Sequence, residues 1–570
     1  MVQKIADNLV LVLAGQAGQG IQSIESILSF LLKRSGYNYF STSELMSRVR
    51  GGINSTEIRI SSKPIAGFLD RIDILIPLHN DGIGHLKERF SPNTIVIGEQ
   101  DKIDFDDIID VQFTQIAKDI GNPIYSNSVA AGFICGLLKV DLKACQEFII
   151  EYFSDKSEEI QVKNSQAITK GHELTKNFSN IDIDIKKSTK VKDHLLLDGA
   201  DAISLGALAG GCNFTCGYPM SPATSVLQNM ATYSQEFDII AEQVEDEVGV
   251  INMALGAWYA GARAMVTTSG GGFALMSEGI SLCGIMESPM VLHIAQRPGP
   301  ATGLATRTEQ GDLNLVLYAG HGDFPRIILA PGSLEEGFSL TQNAFNLAEK
   351  YQVPVFILTD QFFIESKYNT PSFDMVNLKV EKHIIETTED YKRYSFSENG
   401  ISPRGIPGYG QGNVCSGSNE HNESGRITED PELRVKMVDK RLGKLEQIKA
   451  DIIPPKLIGS NNYKILLVSW GSTYHIISEA LEDLGRDDIA LLHFSWIFPL
   501  PKETINYLEQ ADRVIIIENN VTGHLAQLIQ LSTGYIIKEK ILKYNGRCFS
   551  VEEVSNKISK VIEEGDKNEQ

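Results

Sequence analysis

Between residues 198 and 297 the chain alternates short apolar runs, turns built on glycine or proline, and helix-forming stretches rich in small residues, without an internal sequence repeat. The runs are 264–268 and 290–295. The turns are Gly217-Tyr218-Pro219-Met220-Ser221-Pro222 and Ser269-Gly270-Gly271-Gly272, and the helices are expected at 202–209 and 248–259. Short apolar runs without polar alternation read as strands buried on both faces, and strands that alternate with helices feed a parallel sheet. Such a sheet gathers its turns in one crevice beyond the strand ends, where open α/β sheets take their ligands. Further strands at 326–330 and 354–359 carry the pattern to about residue 370.

The rest of the chain follows the same grammar. At 570 residues it is too long for one hydrophobic core, so three or four domains are expected. Residues 9–13 read as a buried strand, Gly15-Gln16-Ala17-Gly18-Gln19-Gly20 as a turn, and 21–33 as an amphipathic helix stopped near Gly36. With strands at 72–78 and 94–98, residues 1–190 form one α/β domain with a parallel sheet. Residues 180–192 read as a linker, and a second domain begins near 195. From 371 to 456 the sequence becomes polar and glycine-rich, a connecting segment with one helix expected at 431–448. A last α/β domain occupies 457–562, with strands at 464–470 and 513–518, and 563–570 is a charged, frayed tail.

Charge and cysteine usage exclude several functions. A formal charge of −21 repels nucleic acid and anionic lipid. No apolar run is long enough to span a bilayer, and residues 1–14 lack a signal-peptide layout, so a cytoplasmic protein is expected. The seven cysteines are odd in number and scattered, which fits a reducing compartment. An iron-sulfur cluster needs about four clustered thiolates. The only close pair is Cys212 and Cys216, which read as buried small hydrophobes. No metal site is expected here: Glu420-His421-Asn422-Glu423 has ligand-capable types, yet adjacent loop residues rarely face one ion. His321 and Asp323 lack a nucleophile elbow and read as ordinary packing or surface residues.

Two side chains stand out chemically. Glu242, Glu245, Asp246 and Glu247 precede a helix, where the dipole favours carboxylates, and they read either as solvated first-turn acids or as a site. Glu247 is the one followed by Gly249, Ala254, Gly256 and Ala257, a helix able to lie close to a flat ring. Arg297 lies just past the run 290–295, where its guanidinium is placed to pair bidentately with a carboxylate.

Together these segments resemble the alpha subunits of 2-oxoacid:ferredoxin oxidoreductases with a gamma domain fused in front, most like the 2-oxoglutarate branch. The turn Tyr218-Pro219-Met220-Ser221-Pro222 is similar to that family's Tyr-Pro-Ile-Thr-Pro loop, with Ser221 for threonine and Met220 for isoleucine. The resemblance implies an α/β, multi-domain fold: a gamma-type domain at 1–190, a doubly wound thiamine-diphosphate pyrimidine-type domain at 195–370, and a transketolase C-terminal-like domain at 457–562. Pro499-Leu500-Pro501 and Glu518 to His524 match loops of the last. It implies that Glu247 holds a proton against the aminopyrimidine of thiamine diphosphate, that Ser221 and Arg297 meet the substrate, and that Tyr218, Pro219, Ser269, Gly270 and Gly271 line the cofactor. Arg307 is assigned to a second substrate carboxylate, as 2-oxoglutarate requires. The Gly-Asp-Gly and following asparagine that the family uses for diphosphate and Mg²⁺ are absent, which places that half, with a [4Fe-4S] cluster, on a separate beta subunit. The implied reaction is oxidative decarboxylation of a 2-oxoacid to acyl-coenzyme A and CO₂, with electrons passed to ferredoxin, by a dimer of alpha-beta heterodimers. Gly15, Gly18 and Gly20 resemble the gamma glycine loop, and Arg48, Arg50, Gly51 and Gly52 a basic turn facing coenzyme A phosphates or a neighbouring subunit. Two other readings stand beside it: a non-redox enzyme of transketolase type, and a non-catalytic scaffold subunit.

Overall fold

The computed structural model describes residues 3–46 and 52–568. Arg48, Arg50 and Gly51 lie outside the described residues. The chain divides into two compact units, Met1–Asp198 with Glu365–Ser372, and Gly199–Ile364 with Phe373–Gln570.

In the first unit an eight-stranded sheet runs in the order Ile109–Asp110, Ile95–Gly98, Ile74–Pro77, Asn8–Gln16, Ile53–Ser61, Asn38–Glu44, Lys367–Thr370, Leu195–Leu197. Only the half from Asn8–Gln16 to Ile109–Asp110 is parallel; the other half is antiparallel, so the expected parallel sheet is corrected to a mixed one. The overlooked strands Asn38–Glu44 and Ile53–Ser61 carry buried polar residues in place of an apolar run. Glu57 is held by Arg89, and Arg59 donates to the Gly67 carbonyl at 2.8 Å. The expected linker at 180–192 holds a strand, Ile181–Asp184, that pairs in parallel with Gln3–Ala6 because Ile181 and Ile183 are buried there. Helix Ile21–Arg34 covers the sheet with Ile24, Ile27, Leu28, Leu31 and Leu32 and ends before Gly36, whose φ of 91° only glycine adopts readily.

The second unit contains two sheets. The seven-stranded sheet has the order Ile240–Gln243, Phe214–Gly217, Ala264–Thr268, Met290–Gln296, Pro354–Asp360, Ile327–Leu329, Trp496–Phe498, parallel except for the last strand. Strand Met290–Gln296 is buried at every position, as a strand covered by helices on both faces must be. Chain order reverses between Phe214–Gly217 and Ala264–Thr268, and this switch point opens a crevice at the carboxyl ends of both strands. The five-stranded sheet is ordered Lys456–Gly459, Ile489–Phe494, Ile465–Trp470, Arg513–Glu518, Glu539–Leu542. The last helix, Val551–Asn568, runs on to Asn568 within the segment expected to be frayed, and its apolar face buries Val551, Val554, Ile558 and Ile562.

Residues 373–430 have little regular structure but are firmly held. Arg404 donates to the Trp258 carbonyl at 3.0 Å and pairs with buried Glu349, which also binds Arg263 at 2.5 Å. Helix Pro431–Ile448, capped by Asp430, sends Lys440 and Lys444 to buried Glu287 at 2.7 and 2.5 Å. Removing one partner of a buried pair is costly, so these contacts fix the segment against the seven-stranded sheet's helices.

Candidate active site

Four strand ends supply the crevice. Beyond Phe214–Gly217 comes the loop 218–222, with Tyr218 and Ser221 exposed and Pro222 buried. Beyond Ile240–Gln243 comes helix Glu247–Tyr259. Asp246 caps it by accepting the Gly249 N–H at 2.7 Å, and this spends one of the four acids on local structure. Glu242, Glu245 and Asp246 are exposed, whereas Glu247 is 4% exposed. The solvated-acid reading therefore holds for three residues and fails for the fourth.

Beyond Ala264–Thr268 the expected glycine turn is instead the first turn of a short helix, Gly270–Leu275. Its glycines are not needed for left-handed backbone; Gly270 and Gly272 are needed for space. A Cβ on Gly272 would sit 2.3 Å from Thr268 Oγ1 and 2.8 Å from Glu247 Oε1, and a Cβ on Gly270 would lie 2.3 Å from both carboxylate oxygens of Asp312. Two carboxyl groups thus flank one bare backbone turn.

Beyond Met290–Gln296, Arg297 donates from Nη1 to the Ser221 carbonyl oxygen at 2.7 Å, so the structure brings together two predicted residues through the serine's backbone. Burial lowers the pKa of Arg297, partly offset by attraction to Asp312. Glu247 Oε1, Ser269 Oγ, Arg297 Nε and Asp312 Oδ2 are all closed off from solvent without a hydrogen-bond partner. Buried polar atoms are nearly always satisfied, so four orphans around one turn describe a surface shaped for a polar ligand.

Asp312 and two glutamines escaped the sequence reading. An aspartate just before helix Leu313–Tyr318 signals an N-cap, which conceals it, yet its side chain makes no capping bond. Burial, with Glu309 adding to it and Arg297 opposing, pushes its pKa up to about 7. Gln296 accepts the Asp312 N–H at 2.9 Å and donates to the Thr359 carbonyl at 3.1 Å. Gln310 donates from its side chain to the Trp470 carbonyl at 2.8 Å, accepts the Asn519 N–H on Oε1 at 3.0 Å and donates its own N–H to the Asn519 carbonyl at 2.7 Å, fastening the loop to the five-stranded sheet. Arg307 packs its Cβ and Cγ against Gly546 and donates to the Thr306 carbonyl at 3.0 Å.

The remaining sequence features lie elsewhere. Cys212 and Cys216 are buried, and burial raises both thiols to about 12, which makes them inert. Glu420 is held by Arg434 and Arg441, and the His421 ring lies tilted by 33° against Tyr394 with centroids 3.8 Å apart. His321 and Asp323 line a separate cleft of about 360 Å³ with Glu278, Arg434 and Arg441. Gly20 allows the glycine loop to pass the Asn127 side chain, 1.9 Å from where a Cβ would stand.

The crevice at the switch point, with its orphaned carboxyl, defines a cofactor-dependent α/β enzyme layer. A family model described as "Pyruvate flavodoxin/ferredoxin oxidoreductase, thiamine diP-bdg" matches residues 205–440, which contain the whole crevice, and one described as "Pyruvate ferredoxin/flavodoxin oxidoreductase" matches residues 10–174. The 2-oxoacid:ferredoxin oxidoreductase subunit alpha of a Sulfolobus species is 31% identical across 98% of this chain and 97% of its own length. The 2-oxoglutarate synthase subunit KorA of Methanocaldococcus jannaschii is 32% identical over 57% of this chain and 88% of its own. The solved 2-oxoglutarate:ferredoxin oxidoreductase from Magnetococcus marinus, with 2-oxoglutarate, coenzyme A and succinyl-CoA bound, is 28% identical, with a TM-score of 0.91 over 97% of this chain and 99% of that one. The chain belongs to the alpha subunits of the 2-oxoacid:ferredoxin oxidoreductases. No helix among the described residues is long and apolar enough to cross a membrane.

Proposed function

We propose that this chain is the alpha subunit, with gamma part fused, of a cytoplasmic enzyme that oxidatively decarboxylates 2-oxoglutarate to its acyl-coenzyme A with ferredoxin as electron acceptor. In this reading residues 1–190 are the gamma domain, 195–370 the pyrimidine domain and 457–562 the transketolase C-terminal-like domain. The observation that carries it is Glu247: a buried carboxyl with an unpartnered oxygen, aimed at Gly272 in a crevice of other unpartnered groups. That arrangement fits thiamine diphosphate, whose aminopyrimidine offers a ring nitrogen for a carboxyl and a flat face for a bare glycine turn.

When bound, thiamine diphosphate supplies the carbon nucleophile and the electron sink for decarboxylation. Glu247 holds the proton exchanged with the aminopyrimidine, and burial keeps water from competing for it. Arg297, braced on the Ser221 carbonyl, pairs with the substrate's 1-carboxylate and orients the carbonyl. Tyr218, Pro219, Ser269, Gly270 and Gly271 form the wall around the ring, and Ser221 presents its hydroxyl at the substrate side. Arg307 serves the distal carboxylate.

A beta subunit supplies the diphosphate and Mg²⁺ site and the [4Fe-4S] cluster, and two heterodimers pair. The outward face of helix Glu247–Tyr259 supports a covering partner: Val248, Met253 and Tyr259 are exposed beside Gly256, where an added Cβ would meet nothing within 4 Å. The choice of 2-oxoglutarate rests on the likeness to the Magnetococcus marinus enzyme and to KorA. Co-expression with the beta subunit, then a panel of 2-oxoacids with viologen as acceptor, tests the substrate; preference for pyruvate overturns it. In the same complex Glu247→Gln is expected to lower kcat by at least about a hundredfold, the scale of a lost acid-base group. Undiminished turnover would leave a scaffold role.

A further inference from the structure

We propose that Asp312 belongs to the carboxylate-recognition end of this site, presenting its carboxyl O–H to the same substrate anion that Arg297 pairs with. The proposal rests on the reading of Arg297 given above and extends it to a residue outside that set.

Four observations converge on Asp312. It occupies the N-cap position of helix Leu313–Tyr318 yet makes no capping bond, so its side chain is released from the local role its position offers. Both carboxylate oxygens instead lie against Gly270, 2.3 Å from where a Cβ would be, and Oδ2 is sealed from solvent with no partner. Arg297 is within electrostatic reach but forms no ion pair with it, so each keeps a buried polar atom without a partner. The backbone beneath is rigid: Gln296, the residue before Arg297, accepts the Asp312 N–H, and Gln310 anchors the same loop on Trp470 and Asn519.

The electrostatics agree with a proton-bearing carboxyl. Glu309 from its own loop disfavours the charge, Arg297 at the end of strand Met290–Gln296 favours it, and Glu247 stands on the other side of the glycine turn. Burial outweighs Arg297 and carries the group to about 7. A neutral carboxyl can donate one hydrogen bond, whereas an ionised one only accepts. The protonated form therefore adds a donor to Arg297's fork for a carboxylate, while the ionised form neutralises Arg297 and repels the substrate.

The test uses the assembled alpha-beta complex. KM for the 2-oxoacid, and the dissociation constant of glutarate as a non-reacting carboxylate probe measured by calorimetry, are followed from pH 6 to 9. In the wild type both are expected to rise about tenfold per unit above the titration of Asp312. Asp312→Asn, which keeps a donor, should hold both flat across the range. Asp312→Ala should raise both about tenfold at pH 6, the worth of one lost hydrogen bond to a charged group. A wild-type pH profile retained in Asp312→Asn, or unchanged glutarate affinity in Asp312→Ala, overturns the proposal. Arg297→Gln separates the two readings. If it weakens glutarate while the Asp312 variants do not, only the role of Asp312 falls; if it leaves glutarate binding unchanged, the assignment of Arg297 falls first and this proposal with it.

Discussion

Glu247 shows what a functional side chain costs at the residue scale. A buried carboxyl oxygen without a partner is destabilising by roughly 1–3 kcal/mol, and a chain selected only for stability would bury a neutral or apolar group there. Glu247→Gln keeps the shape and replaces the carboxyl by an amide. In the cofactor-free complex its melting temperature is therefore expected to equal or exceed that of the parent, measured by scanning calorimetry. A clear loss would mean that the carboxyl is a structural ligand of something within the protein. Glu247 could be picked out from sequence because small residues follow it and open acids precede it; which of the four acids was buried could not, since burial depends on the neighbouring glycine turn. Asp312 was invisible for the opposite reason. Its position before a helix has an ordinary explanation, and only the three-dimensional direction of its side chain contradicts that explanation.

Among elements, the glycine-rich turn after Ala264–Thr268 was evident, but its purpose was misjudged. The three glycines begin helix Gly270–Leu275 and differ sharply in what surrounds them. A Cβ on Gly272 would overlap Thr268 Oγ1 and push on Glu247, whereas one on Gly271 meets only the Ala301 carbonyl at 3.7 Å. Gly272→Ala is thus expected to cost about 1–3 kcal/mol through overpacking and to displace the Glu247 carboxyl. The complex should then lose the thermal stabilisation that added thiamine diphosphate gives, read as the shift in melting temperature with and without it. Gly271→Ala is the control and should keep that shift; equal behaviour of the two variants would refute the steric account. Four strands of the seven-stranded sheet, Ala264–Thr268, Met290–Gln296, Ile327–Leu329 and Pro354–Asp360, were readable because each is an apolar run; the short Phe214–Gly217, Ile240–Gln243 and Trp496–Phe498 were not. Strands Asn38–Glu44 and Ile53–Ser61 were not, because they bury polar side chains whose partners, such as Arg89 for Glu57, lie far along the chain. Residues 373–430 looked loose for a similar reason: their hold comes from Arg393, Arg404, Glu287 and Glu349, paired across long sequence separations.

For the molecule as a whole, the buried titratable groups predict an unusual response to acid. In the second unit burial lowers His293 and His493 to about 3 and His475 to about 4. His293 bridges Thr267 and Thr359 at 2.8 Å each across the central strands, and His493 meets Ser469 at 2.9 Å. Since the unfolded chain protonates histidine near 6.5, these three favour unfolding as pH falls below that value. Asp312 and Asp360 act in the opposite sense. Burial raises them to about 7 and about 6, so the folded protein takes up their protons first and gains stability between those values and the unfolded pKa near 3.9. Glu309 and Glu336, also raised by burial, add to that side. From about pH 6.5 to 4.5 the two sets largely cancel, and stability should change little. Below about 4 the raised acids are protonated in both states and stop contributing. Glu420, held near 2 by Arg441 and Arg434, and Glu287, held low by Lys444 and Lys440, then join the histidines in favouring the unfolded chain. Each such proton is worth about 1.4 kcal/mol per pH unit, so the two glutamates and two remaining histidines imply a slope of roughly 5 kcal/mol per unit. Denaturant midpoints measured from pH 8 to 3 should therefore trace a plateau and then an abrupt fall near 4. A steady decline beginning at 6.5 would show that the buried aspartates stay ionised, and would remove the neutral Asp312 on which carboxylate recognition depends.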